Sequence, residues 1–129
     1  MENMHTFKQE DLEIDLSQLQ EIGEEDKAFM FEALDKFIQQ LNEIRKSYHE
    51  AMREGDYETM RQVHHKFKPS LELIKIPALN KIFEQSREML YDNEFQDPQQ
   101  NRLMADQMEE AWSILIPKLA RTRDSFSAD

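Results

Sequence analysis

The chain contains no cysteine, which excludes disulfides and thiolate metal sites and makes the reducing cytoplasm the natural compartment. It has only two glycines, too few for a Gly-rich phosphate loop, so an ATP-using kinase is not expected. Its apolar runs all fall well short of the roughly 20 residues that span a bilayer. The polar start of the chain has no signal-peptide core either, so a soluble protein is expected. Basic residues are scarce beside acidic ones, 16 against 27, leaving a net charge of −11. That balance argues against nucleic acid or an anionic membrane surface as the main partner.

Glu, Gln, Lys, Leu and Met are abundant, while four prolines and two glycines are the only strong helix breakers. An all-α protein follows. A chain of 129 residues reads as one domain, long enough to bury a core unaided. Residues 1–14 are polar and mixed, with Phe7, Leu12 and Ile14 as the only large apolar residues beyond the methionines; a flexible arm is expected there, and a helical domain over 15–125.

Asp15 followed by Gln18 resembles a capping box and opens a short helix over 16–22, with Leu16, Leu19 and Ile22 along one side and Gly23 at its end. Such a short helix cannot stand alone, so it is expected to lid one end of a bundle. Glu24, Glu25 and Asp26 bring negative charge to the start of the next helix. There Met30, Leu34, Phe37, Leu41, Ile44, Tyr48 and Ala51 alternate at spacings of four and three, which predicts a helix over 25–54, with Phe31 and Ile38 widening the stripe. Gly55 closes that helix and Asp56 caps the following one, so the two are expected to run antiparallel. The third helix, 57–75, contains Pro69, which deprives the residue 65 carbonyl of its partner and predicts a kink or loosened turn. Pro77 starts the fourth, with Leu79, Ile82, Phe83, Ser86 and Leu90 facing inward and Asp92-Asn93 stopping it. Asp97-Pro98-Gln99-Gln100 opens the last, whose stripe is Met104, Met108, Ala111, Leu115 and Leu119, broadened by Leu103 and Trp112 and bent by Pro117 near Ser113. The architecture predicted is an antiparallel four-helix bundle preceded by a short N-terminal lid helix.

Charge is not evenly spread. Between Glu58 and Leu90, six basic residues face four acidic ones, whereas the remainder carries ten basic and 23 acidic. Within this weakly positive island, Met60, His64, Phe67, Leu71 and Ile74 form the buried stripe of the third helix. His64 is therefore expected at the core edge. His65, about 100° further round, emerges on the polar face together with Arg61, Lys68 and Pro69. A neutral imidazole beside cations is a competent nucleophile for a transient anion such as a phosphoryl group. The adjacent histidines point apart and chelate poorly, so no metal is expected. A ferritin-like metal site is likewise not expected, since on the helices His49, His64 and His65 follow Lys46, Arg61 and Gln62, not glutamate, by three residues. The methionines, Tyr48 and Trp112 are read as packing.

His65-Lys66-Phe67-Lys68-Pro69-Ser70 resembles the phosphorylation motif of histidine-containing phosphotransfer (Hpt) domains of multistep two-component phosphorelays: a histidine, a lysine three residues on, then usually glycine and a small hydroxyl residue. The resemblance extends from Asp15 to Met89, through the Asp-Leu-x-x-Leu opening, the acidic turn into a Phe-rich helix, the Gly-Asp break and Leu79. It implies that His65 takes a phosphoryl group from a receiver-domain aspartyl phosphate and passes it to another receiver aspartate. Lys68 would then neutralise phosphoryl charge, Ser70 would orient the other ring nitrogen, and Arg87 would supply a second cation. It further implies a monomeric intermediate with no cofactor or metal of its own, whose partners are receiver domains of response regulators or hybrid histidine kinases. The sequence departs from the family at Pro69, in the usual glycine position, and at Glu72 and Lys75, where small residues are common. Glu72 shares the face of His65 and would repel an acidic partner site. The alternative is a pseudo-Hpt module that docks on a receiver or kinase without being phosphorylated.

Overall fold

The computed structural model describes residues 12–24, 26–91 and 98–127, with backbone alone for Ser86, Met89, Leu90, Tyr91 and Gln100. These residues form five helices and no strand: α1 (Ser17–Gly23), α2 (Lys27–Glu54), α3 (Tyr57–Leu73), α4 (Pro77–Tyr91) and α5 (Pro98–Asp124). The protein is all-α, and no helix among the described residues is long and apolar enough to cross a membrane.

The stripe of α2 behaves as its spacing predicts, with Met30, Leu34, Phe37, Leu41, Tyr48 and Ala51 buried and Ile38 beside them. The helix starts two residues later than expected because Asp26 is its N-cap, accepting the Phe29 N–H at 3.2 Å. Gly55 ends it at φ 70°, a conformation glycine adopts without a Cβ penalty, and its N–H reaches the carbonyls of Ala51 and Met52. Asp56 then caps α3, accepting from the Thr59 backbone N–H at 3.2 Å and its hydroxyl at 2.8 Å.

Helix α3 ends at Leu73, two residues short of the expected boundary. Ile74 turns extended, and Lys75 exchanges both backbone hydrogen bonds with Asp15, at 2.8 and 3.2 Å. Extended backbone alternates its side chains, which buries Ile74 and Ile76 and leaves Lys75 outside; a further helical turn would not bury both isoleucines. The same bridge shifts α1. The Asp15 carboxylate accepts from the Ser17 N–H and hydroxyl, at 3.0 and 2.7 Å, so the helix begins at Ser17 with Leu16 in the cap position, and the Asp15–Gln18 capping box is replaced. Those two bonds, and less strongly the Lys75 charge, hold the Asp15 carboxyl below the usual carboxylate range. Of the expected arm, residues 1–11 lie outside the described residues. Leu12 and Ile14 pack on the core, where Leu12 is 6 % exposed and its carbonyl accepts from Lys118 of α5 at 2.9 Å.

Gly23 serves close approach and not a left-handed turn. A Cβ there would meet the Phe29 ring at 2.5 Å, while the left-handed residue is Glu24, at φ 49°. Glu24→Gly is therefore expected to raise stability by about 0.5–1 kcal/mol, the strain removed being partly offset by unfolded-chain entropy. A urea midpoint equal to or below that of the native protein would contradict this account of the turn.

Helix α2 packs against α1, α3 and α5, α3 packs against α4, and α4 against α5. Phe83 of α4 is the meeting point. Its ring lies 5.1 Å from Tyr48 of α2, 5.8 Å from Phe67 of α3 and 6.4 Å from Trp112 of α5. Phe37 stacks on Phe67 at 5.5 Å, extending the cluster along α2. Ion pairs add clamps at the surface, Arg45 to Glu109 and Arg123 to Asp35, both between α2 and α5. Half-exposed pairs of this kind contribute up to about 1 kcal/mol each, whereas each large buried side chain contributes roughly 1.5–3 kcal/mol.

Leu103 departs from expectation at 40 % exposed, because Asn101, Ala105, Met108, Trp112, Leu115 and Leu119 define the buried line of α5 and Leu103 lies off it. Helices α3 and α5 both continue through Pro69 and Pro117. The inward side chains expected at Ser86 and Leu90, the stop at Asp92-Asn93 and the cap at Asp97 lie outside the described residues.

Candidate functional site

Burial of Met60, Phe67 and Leu71 sets the rotation of α3. On that rotation His65 is exposed, as are Arg61, Lys66, Lys68 and Pro69, while Val63 and His64 are half-buried at the two edges of the stripe. The opposite fates expected for the adjacent histidines are what the helix delivers, since 100° per residue separates an edge position from a solvent one.

The cations distribute differently from the sequence expectation. The Arg61 guanidinium is held by Glu58 of its own helix, at 3.0 Å to each carboxylate oxygen, and this contact keeps the Glu58 carboxyl below its usual range. Arg61 is thus already neutralised and is not a free cation for His65. Lys68 and Arg87 bear on His64. The His64 ring lies 5.1 Å from Phe83, and its imidazole is held below the ordinary value of 6.5, chiefly by burial, then by the Arg87 and Lys68 charges. Lys68 stands three residues from His65 and four from His64, so one side chain borders both, and Arg87 approaches from α4. Among the described residues neither cation forms a salt bridge.

Ser70 was expected to orient a histidine nitrogen. Its hydroxyl instead donates to Gln40 of α2 at 2.9 Å. Ser70 is half-buried on the α2 side of the helix, whereas the His65 ring projects to solvent, so the hydroxyl serves as a strut between α2 and α3. No local signal pairs Gln40 with Ser70, thirty residues apart. On this flank two hollows, about 520 and 140 Å³, share Gln40 and Glu43 as lining and form one trough along the α2–α3 seam. Leu19, Phe29, Ala33 and Leu73 make its wider end apolar, and Ser47 and Lys66 make its narrower end polar. His65 therefore stands on a ridge, with the Lys68 and Arg87 cations toward α4 and a groove toward α2. Of the apolar residues at α1, Leu19 is buried, Leu16 half-buried and Ile22 56 % exposed.

The depressed His64 ionisation has a thermodynamic consequence. The unfolded chain binds this proton more tightly than the folded one, so stability is fully present above about pH 6.5 and is lost as pH falls from there through the folded value. The carboxyls of Glu58 and Glu109 act in a lower window, below their ordinary 4.5. Urea midpoints are expected to fall between pH 7.5 and 5.5 in the native protein and to stay level in His64→Phe. Parallel declines in both would remove His64 as the cause.

Comparison with protein-family models, with curated proteins and with solved structures finds no match to this chain.

Proposed function

We propose that the protein is a phosphorelay intermediate, an Hpt-like antiparallel four-helix bundle in which α1 lids one end, and that His65 carries the phosphoryl group. The observation that carries this reading is the exposed His65 on the ridge of α3, one turn from the exposed cation Lys68 and presented between α2 and α4. The closed order of helix neighbours, α2 to α3 to α4 to α5 and back to α2, supports the bundle.

In the transfer, an imidazole nitrogen of His65 attacks phosphorus and an N–P bond forms. The P–O bond to the donor aspartyl carboxylate breaks, and the carboxylate leaves with the electron pair. The proton on the other ring nitrogen passes to water. Lys68 and Arg87 balance the phosphoryl oxygens, while the chain contributes no ATP site, metal or cofactor. Delivery to a second receiver reverses these steps onto another aspartate. Receiver domains of response regulators or hybrid kinases are the partners, met by a cytoplasmic monomer that binds neither nucleic acid nor membrane.

The test is label transfer from a panel of phosphorylated receiver domains. Acid-labile, alkali-stable label on the protein supports the relay and identifies a partner. Receiver binding without label would replace it with the docking-only module. The exposed Ile22 is the member of the lid helix available to a receiver, and Ile22→Ala is expected to weaken receiver binding roughly threefold to tenfold. Unchanged affinity would remove α1 from the docking surface.

A further inference from the structure

Lys68 and Arg87 come from different helices and carry like charges, so nothing in their own interaction brings them together. Both charges bear on His64. Its ring is half-buried and packs at 5.1 Å, tilted by 44°, on Phe83, which is 1 % exposed and in ring contact with three other helices' aromatic residues besides. Phe83 is therefore a rigid floor, and four residues separate it from Arg87 on the same helix, one turn along α4. Lys68 is likewise one turn from His64 along α3. The tilted contact of His64 on Phe83 thus registers the turn of α3 that carries Lys68 against the turn of α4 that carries Arg87.

We propose that His64 is a positioning residue that keeps Lys68 and Arg87 together on the α4 side of His65, through the packing of its uncharged ring on Phe83. This rests on the phosphorelay reading for its consequence, the support of a phosphoryl group on His65, but the cluster itself does not depend on it. The charged groups bearing on His64 are Arg87 from α4 and Lys68 from its own helix, while α2 brings Tyr48 to within 5.1 Å of the Phe83 ring. No carboxylate among the described residues contributes to its ionisation. A charged imidazole would be a third cation in the cluster and would drive the other two apart, so the neutral form is the one that positions them. His64 touches no reacting atom in this arrangement; it acts through Lys68 and Arg87.

The cluster is tested by following the ring signals of His64 by NMR through a pH titration of the full chain. The His64 midpoint is expected below that of an ordinary histidine and should rise in Lys68→Ala and again in Lys68→Ala/Arg87→Ala, as each repelling charge is removed. A midpoint that ignores both substitutions overturns the cluster, whatever the protein's activity. Its consequence is read with phosphoramidate as donor at pH 8, where His64 is neutral. The His65 nitrogen attacks phosphorus, the P–N bond breaks, and ammonia leaves and takes up the ring proton. His64→Ala is expected to slow labelling of His65 on the order of tenfold, and His64→Phe, which keeps a ring on Phe83, to restore it to within about threefold of native. Equal labelling of the native protein and His64→Ala overturns the positioning role. If the native protein takes no label, the phosphorelay reading fails, and with it this role in transfer, while the titration still decides whether the three residues form one cluster.

Discussion

Replacing His65 by glutamine is expected to remove phosphoryl acceptance altogether, a loss on the order of a thousandfold or more in label transferred from a phosphorylated receiver. Glutamine has similar length and keeps a hydrogen-bonding end, but its amide nitrogen has no available lone pair to attack phosphorus. Because His65 is exposed, the fold should be unaffected, and receiver binding should persist. Lys68→Ala belongs in the same experiment. On the proposed phosphorelay it retains the His65 nucleophile and removes one cation from the transferring group, so a loss of roughly tenfold to a hundredfold is expected, equivalent to about 1.4–2.7 kcal/mol of transition-state stabilisation. Label that survives in His65→Gln would direct attention to His64, the neighbouring imidazole. Label absent from every form, with receiver binding intact, would favour the docking-only module.

Phe83→Ala is expected to be the most damaging single change to stability. The ring is 1 % exposed and meets Tyr48, His64, Phe67 and Trp112, so its removal opens a cavity where four helices converge. A loss of about 3–5 kcal/mol follows, out of a total that for a domain this size is roughly 5–15 kcal/mol. The shift should appear as a large drop in the urea midpoint, and Trp112 fluorescence should change even in the folded state. Leu103→Ala provides the control. This leucine of α5 is as apolar but 40 % exposed, and its loss is expected to stay within about 0.5 kcal/mol. A Phe83→Ala loss under about 1 kcal/mol would mean that the aromatic cluster does not hold the helices together. The same substitution removes the floor beneath His64, so folded Phe83→Ala should also lose the separation between the His64 midpoint and that of an ordinary histidine.

The sequence by itself determined the helices and their faces. Helical periodicity is a local property, and the four-and-three spacing from Met30 to Ala51 needs no knowledge of what lies opposite. The Gly55-Asp56 junction was legible for the same reason, because a left-handed C-terminal glycine and an aspartate N-cap act within one turn. The separation of His64 from His65 followed from 100° per residue once the buried stripe was identified. What the tertiary structure alone decided were contacts between residues distant in the chain. The antiparallel exchange between Asp15 and Lys75 stopped α3 at Leu73, since pairing plus burial of Ile74 and Ile76 outweighed one more helical turn. Ser70 met Gln40 because that edge of α3 lies against α2. The convergence of Lys68 and Arg87 on His64 depended on α4 lying against α3 with Phe83 at the crossing, a relation between two helices that no periodicity within either one specifies.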